Sequence, residues 1–504
     1  MRKKKIILNA VAGLTLQILT IAYGFIVPKL IMTAYGSSVN GLLHSITQFL
    51  SYIALLDAGV SAVIRAKLYK PLANNDRNEL QGIINTSVKF YRKIALSYIG
   101  VLFIVAVIIP TTYLDYFDKT FSFLLVLIVG ASTFAEYYFG ITYTVLLEAD
   151  QRKYIVYCIQ CITVILNTLL SFIFIKSGFS IHIVKLITSF LFIAKPLFLF
   201  WFCSRRYALN RCDTSIVPIS NKWSGLGHHI AFFLHSHTDV IILTFAQGPY
   251  IVSVYSVYNM IVVGLRQMLT YLSGGVEAAF GNMLAKGETD KLKKGLNIYE
   301  LLVFSSTTIF FTTAAVTILD FVRIYTKGVT DVEYIVPHAA MTLIFAEAVY
   351  CIRRPYESLV MASGKLKETM AGAFLEAGLN VGISLVLVWH FSIVGVALGT
   401  LIAMLFRTLQ YMLFASKHIV VRSPVFFYFK LTVFLVCGIL IISGLQFVAL
   451  PQATSYTDLL CEAIIVLLIS TCSVIAVDFI FFKPDLLMFC NMLKTMLYSK
   501  KRNN

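Results

Sequence analysis

The chain has 504 residues, of which 58% are hydrophobic and 13% charged, and it carries a formal net charge of +17. Soluble domains carry about 25% charged residues, so this composition excludes an ordinary soluble enzyme and points to a polytopic membrane protein with nearly all of its mass in the bilayer. The basic surplus lies in short segments between apolar runs, with no basic domain and no aromatic platform; that excludes nucleic acid and favours membrane lipids or an anionic lipid-linked substrate as partners.

A bilayer span needs about 20 predominantly apolar residues. The pattern predicts an all-α protein of about fourteen spans, at 7–33, 39–64, 86–110, 120–146, 154–175, 181–203, 229–247, 250–276, 298–324, 335–361, 369–390, 394–415, 426–449 and 458–482. The first of these follows MRKKK and runs on past the length of a signal-peptide core with no small-residue cleavage site, so it reads as a membrane helix with a basic tail. An even number of spans puts both termini on one side. The segments RAKLYKPLANNDRNEL, EADQRK, CSRRYALNRCD, AKGETDKLKK and SGKLKE share that side; about 31 of the 42 Lys and Arg fall there and about 4 opposite, so both termini are expected to be cytoplasmic. The pair Cys158 and Cys161 lies inside an apolar run without a second pair and reads as packed thiols.

The chain repeats about its midpoint. Gly36 and Gly248, Leu72-Ala73 and Leu284-Ala285, Leu80 and Leu292, Thr188 and Thr400, and Lys195 and Arg407 all recur at 212 residues. TFAEYY (Thr133–Tyr138) answers IFAEAVY (Ile344–Tyr350), and Asn167 answers Asn380. Each half holds six spans, so the halves are parallel repeats, and the last two spans are an addition. The expected division is residues 1–218 and 219–420 for the two six-helix lobes and 421–504 for the two extra helices and a tail.

Ionisable residues inside spans are costly and mark pathways or partners. Lys195 and Arg407 stand at equivalent depths of the two repeats, and Arg266 is near the middle of its span. Arg353 and Arg354 precede Pro355, which is expected to break the helix and let both guanidiniums turn one way. Guanidinium forks match phosphate oxygens, so these residues suit the passage of a lipid diphosphate. Asp239 and His235, with Asp57, Glu136 and Glu347, form an acidic and titratable set suited to coupling transport to a proton or sodium gradient; the alternative is that Asp239 pairs structurally with Lys29 or another base and that the histidines are interfacial. No metal-ligand motif and no nucleophile–base motif is present, so the reading is a non-enzyme without metal or cofactor.

Five stretches carry a resemblance over the whole chain: PKLIMTAYGSSVNGLLHSITQFLSYIALLDAG (Pro28–Gly59), LYKPLA (Leu68–Ala73), TDVIILTFAQGPYIVSVYSVYNMI (Thr238–Ile261), RRPYESLVMASGKLKET (Arg353–Thr369) and GVALGTLIAMLFRT (Gly395–Thr408). With them the chain resembles the polysaccharide transport family of lipid-linked oligosaccharide flippases, within the multidrug, oligosaccharidyl-lipid and polysaccharide exporter superfamily. The resemblance implies two six-helix lobes around a cationic cavity in the bacterial cytoplasmic membrane. It also implies alternating-access transfer of an undecaprenyl-diphosphate-linked oligosaccharide to the outer leaflet for capsule or exopolysaccharide assembly, beside a polysaccharide polymerase and glycosyltransferases. The diphosphate would meet Arg266, Arg353, Arg354, Arg407, Lys195 and Lys29. Lys29 stands where relatives often carry arginine, and Asp57 where glutamate is common. The rival is a cation-coupled drug antiporter of the same fold, which would want an acidic cavity; here basic intramembrane residues are at least as numerous as acidic ones.

Overall fold

Hydrocarbon offers backbone N–H and C=O groups no water, so each apolar run closes its hydrogen bonds within itself as a helix. A computed structural model describes residues 2–57, 59–209, 226–272, 275–447 and 452–502, and every regular element among them is helical. In chain order they are α1 (Arg2–Tyr35), α2 (Ser37–Ser51), α3 (Ala54–Asp57), α4 (Val60–Asn74), α5 (Arg77–Thr112), α6 (Lys119–Ala135), a π-helical turn (Glu136–Gly140), α7 (Ile141–Ala149), α8 (Lys153–Lys176) and α9 (Ile181–Arg206). There follow α10 (Leu226–Ala246), α11 (Pro249–Leu272), α12 (Val276–Ala285), α13 (Thr289–Tyr325), α14 (Pro337–Ala362), α15 (Leu366–His418), α16 (Val425–Phe447), α17 (Tyr456–Phe481) and α18 (Lys483–Arg502).

Among the described residues, 10 helical segments are long and apolar enough to cross a bilayer by length and composition. One of them, α15, holds two expected spans joined at Ser392, whose φ of 50° and ψ of −127° break the helical path. The remaining expected spans fall on α10, α11 and α14; the last carries Glu347, Arg353, Arg354 and Glu357. The chain is thus an all-α polytopic membrane protein.

Three expected segments gain internal detail. The span expected at 39–64 is divided among α2, α3 and α4, with turns at Tyr52 and Ile53 and a left-handed Gly59 (φ 85°) before α4. The span at 120–146 contains a π-helical turn at Glu136–Gly140. The tail beyond the last span is also helical, as α18.

The fold divides into two compact units, residues 1–254 with 328–332 and residues 255–327 with 333–504. In unit 1, α1 packs on α8, α5 on α6, α6 on α9 and α2 on α10. The α2 contact is close: a Cβ added at Gly41 would fall 1.8 Å from the Pro249 carbonyl oxygen, so only glycine fits. Polar side chains tie the same layer, with Ser45 Oγ 2.7 Å from Thr244 Oγ1 and Asn40 Nδ2 donating to Ser253 Oγ at 2.8 Å. Unit 2 is built on α13, which packs on α14, α16 and α17, and on the α14–α15 contact.

Backbone handedness carries the internal repeat. Positive φ occurs at Gly36 and Gly248, Gly59 and Gly275, Asn75 and Gly287, Gln151 and Gly364, Gly178 and Ser392, and Ala208 and Val421, six pairs at offsets of 212 to 216 residues. Non-glycine residues seldom enter this region, so shared turns at matched places, with different side chains, mark a repeated chain path. A side-chain motif repeats with them: Ser171 Oγ lies 3.4 Å from Asn167 Oδ1, and Ser384 Oγ lies 3.1 Å from Asn380 Oδ1.

Candidate functional site

Unit 2 holds a cluster of four arginines and three glutamates drawn from α11, α14 and α15. Arg353 Nη1 donates to Glu376 Oε1 at 2.7 Å, and its Nε lies 3.9 Å from Glu357 Oε2. Arg354 Nη1 donates to the same Glu357 oxygen at 3.0 Å. Arg407 reaches the other Glu376 oxygen at 3.4 Å and donates to the Thr369 carbonyl and the Tyr411 hydroxyl, each at 2.8 Å. Arg266 Nη1 pairs with Glu347 at 3.0 Å. Aromatic faces cover the cations: Arg353 and Arg266 lie 4.3 Å and 5.0 Å from the Tyr350 ring centre, and Arg407 lies 4.0 Å from that of Tyr411.

The helix carrying YCIRRPYESL does not break. Contrary to the expectation from Pro355, α14 runs unbroken from Pro337 to Ala362. Membrane helices tolerate such a proline because neighbours satisfy the freed groups. The two adjacent guanidiniums converge by a different route: long side chains at i+4 and i+3 spacing reach one carboxylate, Glu357.

Burial divides the four arginines. Arg353 and Arg407 are 3% and 2% exposed, and Glu376, which bridges them, is 7% exposed. The side chains of Arg266 and Arg354 each keep 23% of their surface. Four positive groups face three negative ones, so the cluster carries an excess positive charge. It also has spare donors: among the described residues the Nε–H groups of Arg353 and Arg354 find no hydrogen-bond acceptor. A buried donor left unpaired costs about 1–3 kcal/mol, so an anion placed here would recover that loss.

In unit 1 the equivalent residues take a simpler arrangement. Lys195 Nζ pairs with Glu136 at 2.9 Å. Glu136 opens the π-helical turn, and that turn brings Gly140 against α9; a Cβ there would lie 2.8 Å from the Pro196 side chain. Asp57 ends α3, where the second span is divided, and accepts hydrogen bonds from Ser61 Oγ at 2.6 Å and Tyr91 Oη at 2.9 Å. Asp239 is buried on α10, and Lys29 is half-buried on α1. The side chain of His235 lies outside the described residues. The structure therefore joins Arg353, Arg354 and Arg407 in one network, gives Arg266 and Glu347 to each other, and pairs Lys195 with Glu136.

Two groups of partners escaped the reading of the sequence. The bridging role of Glu376 is one; its partners are 23 and 31 residues away in sequence, beyond any helical period. The other anchors the C-terminal helices. Glu300 of α13, fully buried, pairs with Arg422 and with Lys430 of α16 at 3.3 Å, and Lys430 reaches Asp485 of α18 at 3.4 Å. Burial disfavours the Arg422 charge, but Glu300 outweighs it and holds the guanidinium above its ordinary value. The available signal was complementary: one acid near the start of the ninth span and one base near the start of the thirteenth.

The all-helical fold with its internal repeat is shared with solved structures of a lipid flippase and of multidrug transporters. Among solved structures the chain is similar to the lipid II flippase MurJ in an inward closed conformation, with a TM-score of 0.71 and 14% identity over 95% of this chain and 99% of that one. It is also similar to an inward-facing MATE family multidrug resistance transporter of the MOP superfamily, with a TM-score of 0.60 and 12% identity over 81% of this chain and 98% of that one. A third is a point mutant of the Vibrio cholerae MATE transporter VcmN, with a TM-score of 0.55 and 16% identity over 84% of this chain and 98% of that one. By sequence, no family model and no curated protein matches the chain.

Proposed function

We propose that this protein is a flippase that moves an undecaprenyl-diphosphate-linked oligosaccharide from the inner to the outer leaflet of a bacterial cytoplasmic membrane, by alternating access, for assembly of a cell-surface polysaccharide. The observation that carries this reading is the arginine cluster of unit 2, with its excess positive charge and the unfilled Nε–H donors of Arg353 and Arg354. A diphosphate supplies several strong acceptor oxygens and negative charge, which is what such a cluster lacks. Arg266 and Arg354, the two with accessible surface, make the first contact; Arg353 and Arg407 set the potential behind them. Lys195 and Lys29 are the basic counterparts in unit 1, and the ion pair of Lys195 with Glu136 leaves it a lesser part in holding the diphosphate. The likeness to the lipid flippase extends over 95% of the chain, against 81% for the multidrug transporter, which also favours a lipid-linked substrate.

Asp57, Glu136, Glu347, Asp239 and His235 are proposed to couple transport to a proton or sodium gradient. The carboxylate of Asp57, at a division in a membrane span and held by two hydroxyls, is the clearest of them.

Reconstituted into liposomes, the protein is expected to flip a fluorescent prenyl-diphosphate oligosaccharide and to leave an organic cation dye where it is. Efflux of the dye without movement of the lipid would replace the flippase with the antiporter. Equal flipping with and without proton and sodium gradients would remove the coupling role of the acidic set.

A further inference from the structure

One end of unit 1 has a feature that the proposed transport route does not use. A cup of about 420 Å³ is lined by Arg77, Arg152, Arg206, Asp76, Asp150 and Tyr207 among others. Ligand pockets fall at about 300–1,000 Å³. Three chain segments meet here that the charge pattern assigns to one face of the membrane: the α4–α5 turn, the α7–α8 turn and the end of α9.

The cup is built and held. Asp150 is its hub: one carboxylate oxygen accepts from Lys5 Nζ at 2.9 Å, and the other accepts from Tyr207 Oη at 2.7 Å and lies 2.6 Å from Arg152 Nε. Left-handed residues Asn75, Gln151 and Ala208 set the three turns. Backbone bonds lock them, from Asp76 N to Pro71 O at 3.0 Å, Arg152 N to Leu147 O at 2.8 Å and Leu209 N to Ser204 O at 3.1 Å.

Both acids of the cup are already engaged. Asp150 serves Lys5, Arg152 and Tyr207, and Asp76 caps α5 by accepting from Glu79 N at 3.0 Å. Arg77 and Arg206 are exposed, and among the described residues neither has an ion-pair partner. Two guanidiniums, rich in N–H donors, therefore line a preformed concave surface whose carboxylates are committed to other partners. Their level is that of the membrane interface: on α9, Arg205 lies 4.7 Å from the ring centre of Trp201, which is 47% exposed, and on α8, Lys153 lies 5.3 Å from that of Tyr157. Trp and Tyr gather at that depth, and basic pockets there suit phosphate headgroups.

We propose that this cup is a phosphate-binding site, separate from the arginine cluster of unit 2, in which Arg77 and Arg206 hold the phosphate group of an anionic lipid or of a phosphate-bearing solute. Full-length protein in detergent would be titrated with phosphatidylglycerol, with phosphatidylcholine and with inorganic pyrophosphate, reading bound species by native mass spectrometry and heat by calorimetry. The Arg77→Gln/Arg206→Gln variant is compared with wild type and with Arg77→Lys/Arg206→Lys; all three are expected to melt alike because both side chains are exposed. Loss of about tenfold in phosphatidylglycerol affinity for each guanidinium removed, with phosphatidylcholine unchanged and lysine restoring part of it, assigns the site to a lipid headgroup. The same loss read only with pyrophosphate assigns it to a solute. Equal binding of both probes by wild type and the Gln variant overturns the proposal. None of these titrations involves flipping, so the result is independent of the transport reading.

Discussion

The two units share a chain path and differ in what they do with charge. Glu136 and Lys195 of unit 1 have counterparts in Glu347 and Arg407 of unit 2. In unit 1 the two residues pair with each other at 2.9 Å. In unit 2 the exchange of lysine for arginine accompanies a rearrangement: Arg407 turns to Glu376, and Glu347 takes Arg266 instead. A compact ammonium satisfies one carboxylate; a planar fork bonds a carboxylate, a carbonyl and a phenol together, as Arg407 does. The duplicated frame is thus kept by its turns, while one copy has become a multi-arginine network.

The largest way to break this contrast is at the bridge. Glu376→Ala leaves Arg353 and Arg407 facing each other, both nearly fully buried. Removing one partner of such a buried group costs about 3–5 kcal/mol, so the variant is expected to lose most of its folded population in a detergent melting assay. A wild-type melting curve would show that Glu376 does not bridge them. Next in size is the effect on transport of Arg266→Gln with Arg354→Gln. Both arginine side chains keep 23% of their surface, and glutamine leaves an amide donor toward Glu347 and Glu357, so a melting curve is expected to show most of the protein still folded while flipping falls by more than about tenfold, consistent with the loss of charge-assisted hydrogen bonds.

A smaller effect is expected in unit 1. Reversing the pair, with Glu136→Lys and Lys195→Glu together, is expected to recover stability lost by either single change, with a coupling of about 1 kcal/mol in a double-mutant cycle. No coupling would mean that the pair contributes nothing to the fold of unit 1. The smallest concerns the basic end. Burial alone would raise the Asp150 carboxyl, but hydrogen bonds from Tyr207 and Lys5 and the nearby charges outweigh it and hold it below the usual value of 3.8. A depressed carboxylate stabilises the fold above its unfolded pKa and loses that contribution as pH falls through the folded one. Wild type is therefore expected to melt higher than Asp150→Asn at pH 7, with the gap closing below about pH 4. A gap that is constant with pH would remove the hub from the account.

The parts of this comparison differ in how far the sequence could show them. The helices and the repeat were legible because hydropathy and turn spacing are local: Gly36 and Gly248 stand in line without any structure. The pairing of Arg353 with Glu376 was not, because it depends on how α14 and α15 face each other. Pro355 misled because proline's intrinsic preference is weaker than the packing around a buried helix. The division of the span at 39–64 was hidden for the opposite reason: its composition stays apolar through Tyr52 and Ile53, and only Gly59 hints at the turn. Charges deep in spans were visible as anomalies; their resolution into partners was a tertiary fact.

The most direct test of the division of labour sets the two units side by side in one flipping assay. Proteoliposomes carrying wild type, Arg266→Gln/Arg354→Gln or Lys195→Gln are loaded with the same fluorescent prenyl-diphosphate oligosaccharide at equal protein density. The unit 2 variant is expected to lose more than about tenfold of the rate, while Lys195→Gln keeps most of it. Wild-type flipping by the unit 2 variant, or a greater loss in Lys195→Gln, would contradict the assignment of the diphosphate to the arginine cluster.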